Sequence, residues 1–124
     1  MKVVIADSKP EIRSALRLLL TQEPDMCIAD EAHDVVSLLD ATRTHNPTLV
    51  LVDWELADPR PAGARGASLT DEIAARAPHA RVVVLSGRPE TRAEALDAGA
   101  HAFVCKCNSP DHLIAVLRAM NGRD

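Results

Sequence analysis

Thr48-Leu-Val-Leu-Val52, closed by Asp53, is an unbroken apolar run with polar residues only at its ends. A strand half-exposed to water would alternate polar with apolar. This run is written for burial on both faces, as in a parallel sheet covered by helices. Arg81-Val-Val-Val-Leu85 and Lys2-Val-Val-Ile-Ala6 repeat the pattern, and Met26-Cys-Ile-Ala29 and Ala102-Phe-Val-Cys105 complete five candidate strands.

Helical patterns lie between them. Pro10 opens the first where a missing N–H costs nothing, and Ile12, Leu16 and Leu19 recur on one face. A second helix is expected over His33 to Thr44, with Val35, Leu38, Leu39 and Thr42 inward. Ser68 is a suitable N-cap for a third, Pro89 starts a fourth that stops at Ala98-Gly99, and Ser109-Pro110 caps and starts a fifth. Strand then helix, five times over, predicts an α/β fold with right-handed crossovers. The flavodoxin-like doubly wound (βα)5 arrangement, sheet order 2-1-3-4-5, is the expected solution, with functional groups at the carboxyl ends of the strands.

Composition narrows the function. The chain has 124 residues, one domain's worth (1–124), with 14 Lys+Arg against 18 Asp+Glu and a formal charge of −4. Mild acidity and the absence of a basic run argue against nucleic-acid contact within these residues. One Trp, one Phe and no Tyr leave no stacking platform for single strands. The run Val3 to Ala6 is too short for a signal-peptide core, and no apolar stretch approaches membrane-spanning length. Cys27, Cys105 and Cys107 form no Cys-x-x-Cys pair, which argues against a disulfide framework or a zinc site and for a cytoplasmic location. Cys105 and Cys107, alternating with Lys106 along an extended strand, are expected to be packed thiols that cannot easily bond each other.

The strand ends carry the chemistry. Asp7-Ser8, Asp53, Ser86-Gly87 and Lys106 follow strands one, three, four and five, which are contiguous in the expected order, so they converge on one crevice. Taken singly, Asp, Ser and Lys after strands are ordinary caps and turn formers. Together, two carboxylates, a hydroxyl and an ammonium suit a hard divalent cation and a phosphoryl group, with Asp53 a possible acyl-phosphate nucleophile.

Val3-Val-Ile-Ala-Asp7, Leu49-Val-Leu-Val-Asp53-Trp54, Val82-Val-Val-Leu-Ser86 and Gly99-Ala-His-Ala-Phe-Val-Cys-Lys106 together resemble the receiver domain of two-component response regulators. Ser109-Pro-Asp-His-Leu is most similar to receivers joined to a C-terminal helix-turn-helix DNA-binding domain, of which this chain would be a piece or a single-domain counterpart. The resemblance implies that Asp53 is the phosphoacceptor, served by a sensor histidine kinase or a small phosphodonor. It implies that Lys106 and Ser86 contact the phosphoryl group, and that Phe103 reorients in the switch. Asp7, Asp53 and the backbone carbonyl of Glu55 are implied to hold Mg2+. The resemblance also implies that Glu55 and Arg88 flank the pocket and influence the attacking water as gating residues, and an opposite-charge pair between them is expected. The face made by the fourth helix, fifth strand and fifth helix is the implied surface for an output domain, a downstream protein or a homodimer. No enzymatic activity is expected beyond self-catalysed phosphotransfer and dephosphorylation.

Three departures from the family pattern stand out. Ser8 occupies the position of a second acidic residue, which weakens the metal site and predicts slow or magnesium-demanding phosphorylation. Lys9 beside it is expected to be solvated. The stretch Ala57 to Gly66 is longer than usual, read as a tolerated mobile insertion or, alternatively, as a lid bringing Arg60 or Arg65 to the site. The segment from Ser86 to Lys106 is short. The second functional reading is therefore a degenerate, receiver-like interaction module with weak or no phosphorylation. A third, an unrelated small α/β enzyme, lacks a Gly-rich phosphate loop after the first strand.

Overall fold

The computed structural model describes residues 1–121; the last three residues of the expected 1–124 unit, Gly122 among them, lie outside the described residues. Five strands, β1 (Lys2–Ala6), β2 (Cys27–Ala32), β3 (Leu49–Asp53), β4 (Arg81–Ser86) and β5 (Ala102–Cys105), pair entirely in parallel in the order 2-1-3-4-5. The helices are α1 (Pro10–Leu20), α2 (Val35–His45), α3 (Leu69–Arg76), α4 (Arg92–Asp97) and α5 (Pro110–Met120). The flavodoxin-like architecture expected from the apolar runs is the one found. No helix among the described residues is long and apolar enough to cross a membrane.

The two-residue period of a strand divides the core into two layers. Val4, Val50, Val52, Val82, Val84 and Phe103 pack with Leu38 and Leu39 of α2, Ile73 of α3 and Ala95 of α4. The alternate residues Ile5, Leu51, Val83, Leu85 and Val104 face Leu16 and Leu20 of α1 and Leu113, Ile114 and Leu117 of α5. Covering both faces is what the unbroken apolar runs require.

Local chemistry sets the helix ends. Asp34 caps α2 through a reciprocal box with Ser37, and the Ser68 hydroxyl accepts from Asp71 N–H at the start of α3. Helix α2 therefore starts at Val35, two residues after the expected His33, because Asp34 is its cap. Pro89 begins a 3-10 turn, Pro89–Thr91, that runs into α4, and Gly99 ends that segment at φ +110°, where a side chain would be strained. Pro110 starts α5 as expected, but the Ser109 hydroxyl makes no capping bond; its carbonyl accepts from His112 N–H instead.

Strand β2 differs from expectation, running to Ala32 rather than stopping at Ala29. It is an edge strand, so Asp30 and Glu31 need not be buried. Asp30 reaches His45 at 3.3 Å and Glu31 reaches Arg17 at 3.3 Å. Polar residues thus continue the strand where an apolar pattern had stopped.

The expectation for Cys105 and Cys107 is overturned. The two sulfurs are bonded, while Cys27 is free and exposed. Strand β5 ends at Cys105 and the chain turns at Lys106 and Cys107, leaving the two Cα atoms 5.1 Å apart. An extended strand would hold them about 6.6 Å apart with both side chains on one face. The turn removes that restraint and brings them within disulfide reach.

Candidate functional site

Asp7 follows β1, Asp53 ends β3, Ser86 ends β4, and Lys106 follows β5. The sheet order makes these four ends neighbours, and the sequence-predicted residues meet in one crevice. Asp7, Asp53 and Ser86 are buried, while the Lys106 side chain is 30% exposed. Its Nζ lies 3.3 Å from Asp7 Oδ2 and 3.3 Å from Asp53 Oδ1. Burial pulls the Lys106 ammonium toward the neutral form, but the Asp53 and Asp7 carboxylates outweigh it, and the net shift is upward from the usual lysine value. A single cation is therefore held firmly between two carboxylates.

The backbone completes the cradle. Lys9 N–H donates to Asp7 Oδ1 (2.9 Å) and Glu55 N–H donates to Asp53 Oδ1 (3.1 Å). Asp53 Oδ1 thus serves both Lys106 and Glu55, leaving Oδ2 without a protein partner among the described residues. The Lys9 side chain belongs to an exposed residue, in line with the solvated state expected.

Ser86 does not point its proton at Asp53. Its hydroxyl donates to Glu55 Oε1 (3.0 Å) and accepts from Arg88 N–H (3.0 Å). The expected Glu55–Arg88 ion pair is not formed: Arg88 Nε reaches Glu90 at 3.3 Å, because Glu90 lies two residues along the same exposed turn while Ser86 has taken the Glu55 carboxylate. Phe103, 5% exposed, packs in the α2–α4 layer, with the Arg92 guanidinium 6.0 Å from its ring centroid.

Two residues beside the site carry no sequence signal that marks them. Arg13 Nη1 donates to the Asp7 carbonyl (2.6 Å), and the buried Thr91 hydroxyl lies 3.2 Å from Ser86 Oγ while donating to the Arg88 carbonyl (2.7 Å). Arg13 looks like any polar residue of an amphipathic helix. The significance of Thr91 depends on the fold of the turn after β4.

The donor set bears on a metal. No cluster of three or more His, Cys, Asp or Glu side chains among the described residues is placed to hold an ion. Magnesium is nevertheless commonly held by one or two carboxylates, water and a phosphate, and the Asp7–Asp53 pair fits that mode. Ser8 adds no charge, and its Oγ accepts from Ala57 N–H (3.1 Å), so it ties down the loop after β3.

That loop is not a lid over the crevice. Arg60 forms paired hydrogen bonds with Asp58 (3.0 and 2.9 Å) and with Glu72 of α3 (2.8 and 2.9 Å), and Arg65 Nε lies 3.3 Å from Asp58. Both guanidiniums are committed locally, which answers the alternative that had them reach the site. The loop is also better organised than a mobile insertion, with a 3-10 turn at Ala62–Ala64 and Gly66 N–H donating to Glu72 (3.0 Å). A Cβ on Gly66 would lie 2.7 Å from Glu72 Cγ, so the close approach needs glycine. Hydrogen bonds from Arg60 hold the Asp58 carboxyl down to about 2, and Glu72 is lowered by the same partner.

Comparison with known proteins agrees with this geometry. A family model described as the response regulator receiver domain matches residues 3–118. The transcriptional regulatory protein YxjL of Bacillus subtilis is 29% identical over 124 residues, covering 96% of this chain and 53% of its own length. The oxygen regulatory protein NreC of Staphylococcus carnosus is 28% identical over 123 residues, covering 97% and 54%. The chain spans about half the length of the curated relatives it matches. Among solved structures, the receiver domain of the putative response regulator NarL from Mycobacterium tuberculosis superposes with a TM-score of 0.80 at 26% identity, covering 98% of this chain and 97% of that one. RcsB of Salmonella enterica serovar Typhimurium, bound to a promoter with a phosphomimetic, gives 0.84 at 23% identity and 98% coverage of both, a likeness of fold.

Proposed function

Because this chain belongs to the response regulator receiver domain family, we propose that it accepts a phosphoryl group on Asp53 and passes the change to a partner. The observation that carries this is the Lys106 ammonium shared between Asp7 and Asp53 at 3.3 Å, with one Asp53 oxygen left over. Asp53 Oδ2 attacks phosphorus as the bond to the donor's histidine nitrogen or acetate oxygen breaks, giving an acyl phosphate. Lys106 then pairs with the phosphoryl oxygens. Ser86 gives up Glu55 to donate to the phosphoryl group, and Phe103 moves with it. Glu55 and Arg88 border the path of water to the acyl phosphate. Mg2+, held by Asp7, Asp53 and the Glu55 carbonyl, would supply positive charge to the phosphoryl oxygens; with Ser8 in place of a carboxylate its binding is weak.

Receiver domains of DNA-binding regulators work between a histidine kinase and an output domain. Residues 1–124 act here as one receiver unit in the cytoplasm, reached by a sensor histidine kinase or a small phosphodonor. The α4-β5-α5 face meets the output domain, a downstream protein or a second copy, and these residues make no nucleic-acid contact of their own. Chemistry beyond phosphotransfer and dephosphorylation is not part of this role.

The second reading, a degenerate interaction module, draws on Ser8, whose hydroxyl holds Ala57 rather than contributing charge. Intact mass after acetyl phosphate treatment, across a magnesium series and with Asp53→Asn as control, decides between them. Saturable addition of one phosphoryl group absent from the variant supports the switch. No addition at any magnesium concentration overturns it in favour of the module.

A further inference from the structure

Two cysteines bracket the lysine on which the site depends. Lys106 is the single residue between Cys105 and Cys107, and the bond between their sulfurs closes a small covalent ring through the Lys106 backbone. The ends of that ring are anchored. Lys106 N–H donates to the Ser86 carbonyl (2.8 Å), Asn108 N–H to the Cys105 carbonyl (3.0 Å), and Cys107 N–H to Cys105 Sγ (3.2 Å). Cys105 is buried at the end of β5, and Cys107 is exposed on the turn where an oxidant can reach it.

We propose that Cys105 and Cys107 form a reversible dithiol–disulfide couple that controls how firmly Lys106 is held in the crevice. This rests on the reading of Asp53 as phosphoacceptor for its consequence, though not for the couple itself. Disulfides inside reducing compartments are mostly transient and sensing rather than structural. The Cys107 thiol gives its proton to solvent, its thiolate attacks a peroxide oxygen, the O–O bond breaks, and the released hydroxide takes up that proton, leaving a sulfenic acid and one water. The Cys105 thiol loses its proton likewise, its sulfur displaces the sulfenic hydroxide, which takes up that proton as a second water, and the disulfide closes. Two electrons pass from the thiols to the peroxide, and an external dithiol returns them by exchange.

Closing the ring restricts φ and ψ of Lys106, so its ammonium stays aimed between Asp7 and Asp53. Opening it frees the turn and lets the side chain leave. A pre-positioned charge assists phosphoryl transfer more than one that must be recruited, so the oxidised form accepts phosphate faster. The switch acts through the position of Lys106 alone.

The test compares the full chain after reduction by a dithiol and after stoichiometric peroxide. Peptide mapping of the oxidised chain shows the loss of two hydrogens in a Cys105–Cys107 link. Lys106 is then modified several-fold more slowly by an amine-reactive acylating reagent, and acetyl phosphate labels Asp53 several-fold faster, than in the reduced chain. Cys105→Ser and Cys107→Ser behave as reduced protein with or without peroxide, and Cys27→Ser responds like the parent. Oxidation that runs to sulfinic acid or to links through Cys27, or equal Lys106 reactivity in both states, overturns the couple. Equal or slower labelling of the oxidised form overturns its proposed effect. Lys106 protection with no labelling in either state leaves the couple standing and removes the phosphoacceptor reading instead.

Discussion

The crevice and the 57–66 loop are built from the same materials and behave differently. In the loop, Asp58 and Glu72 meet two guanidiniums, Arg60 and Arg65, so charge is balanced and the Arg60 hydrogen-bonding edges face carboxylates. In the crevice, Asp7 and Asp53 share one ammonium while the nearby Glu55 carboxylate meets only the Ser86 hydroxyl among the described residues, leaving an excess of negative charge and an Asp53 oxygen without a protein partner there. A saturated cluster holds a chain segment in place. An under-neutralised one can take up a cation and a phosphoryl group, because part of its electrostatic demand is unmet.

The largest break in this comparison is Lys106→Ala. Removing the cation that Asp7 and Asp53 share is expected to slow labelling of Asp53 by about 100-fold, the usual scale for losing a positioned charge at a reacting oxygen. Intact mass over time measures it, and an unchanged rate would show that Lys106 plays no part in transfer. Ser8→Asp sharpens the contrast from the other side by raising the negative charge of the crevice. Half-maximal labelling should then need a several-fold lower magnesium concentration, and an unchanged requirement would sink the claim that Ser8 weakens the site. The sole Trp, Trp54, is next to Asp53 and half-buried, so its emission offers an independent readout of metal or beryllofluoride binding.

Arg60→Ala breaks the balanced cluster. With side chains only 17% exposed at Arg60 and Asp58, unpairing the carboxylates should cost about 1–3 kcal/mol in denaturant unfolding. Labelling should stay at the parental rate; a large loss there would return the loop to the site. The smallest effects come from pH. Asp58 is lowered to about 2 from 3.8, so its contribution to stability is full above the ordinary carboxylate value and fades as pH falls through about 2. Lys106 is raised, so its contribution is full below 10.5 and fades as pH rises through the higher folded value. Arg60→Ala should flatten the acid limb of stability against pH, and Lys106→Ala the alkaline limb.

Much of the fold was legible because burial is written as periodicity. The runs at Lys2, Thr48 and Arg81 carry apolar residues at both parities, which only a sheet covered on two faces explains. Pro10, Ser68 and Gly99 act within a few residues of themselves, so they mark helix ends without tertiary context. Edge strand β2 was cut short because Asp30 and Glu31, on opposite faces at the open edge of the sheet, are held by His45 and Arg17, and hydropathy does not register ion pairs. The four strand-end residues of the site were legible because topology alone brings strand ends together.

What tertiary structure decided was pairing among polar groups. Lys106 and Asp7 are 99 positions apart, Ser86 and Glu55 are 31 apart, and Arg60 and Glu72 are 12 apart. No local pattern states which carboxylate an arginine will choose, so Glu55 went to Ser86 rather than Arg88, and Arg60 to Glu72 rather than the crevice. The Cys105–Cys107 bond depended on the chain turning at Lys106 instead of running on extended through Cys107. Hydrophobic burial is non-directional and survives in the residue pattern, whereas hydrogen bonds and ion pairs depend on distance and angle and are set only when the chain has folded.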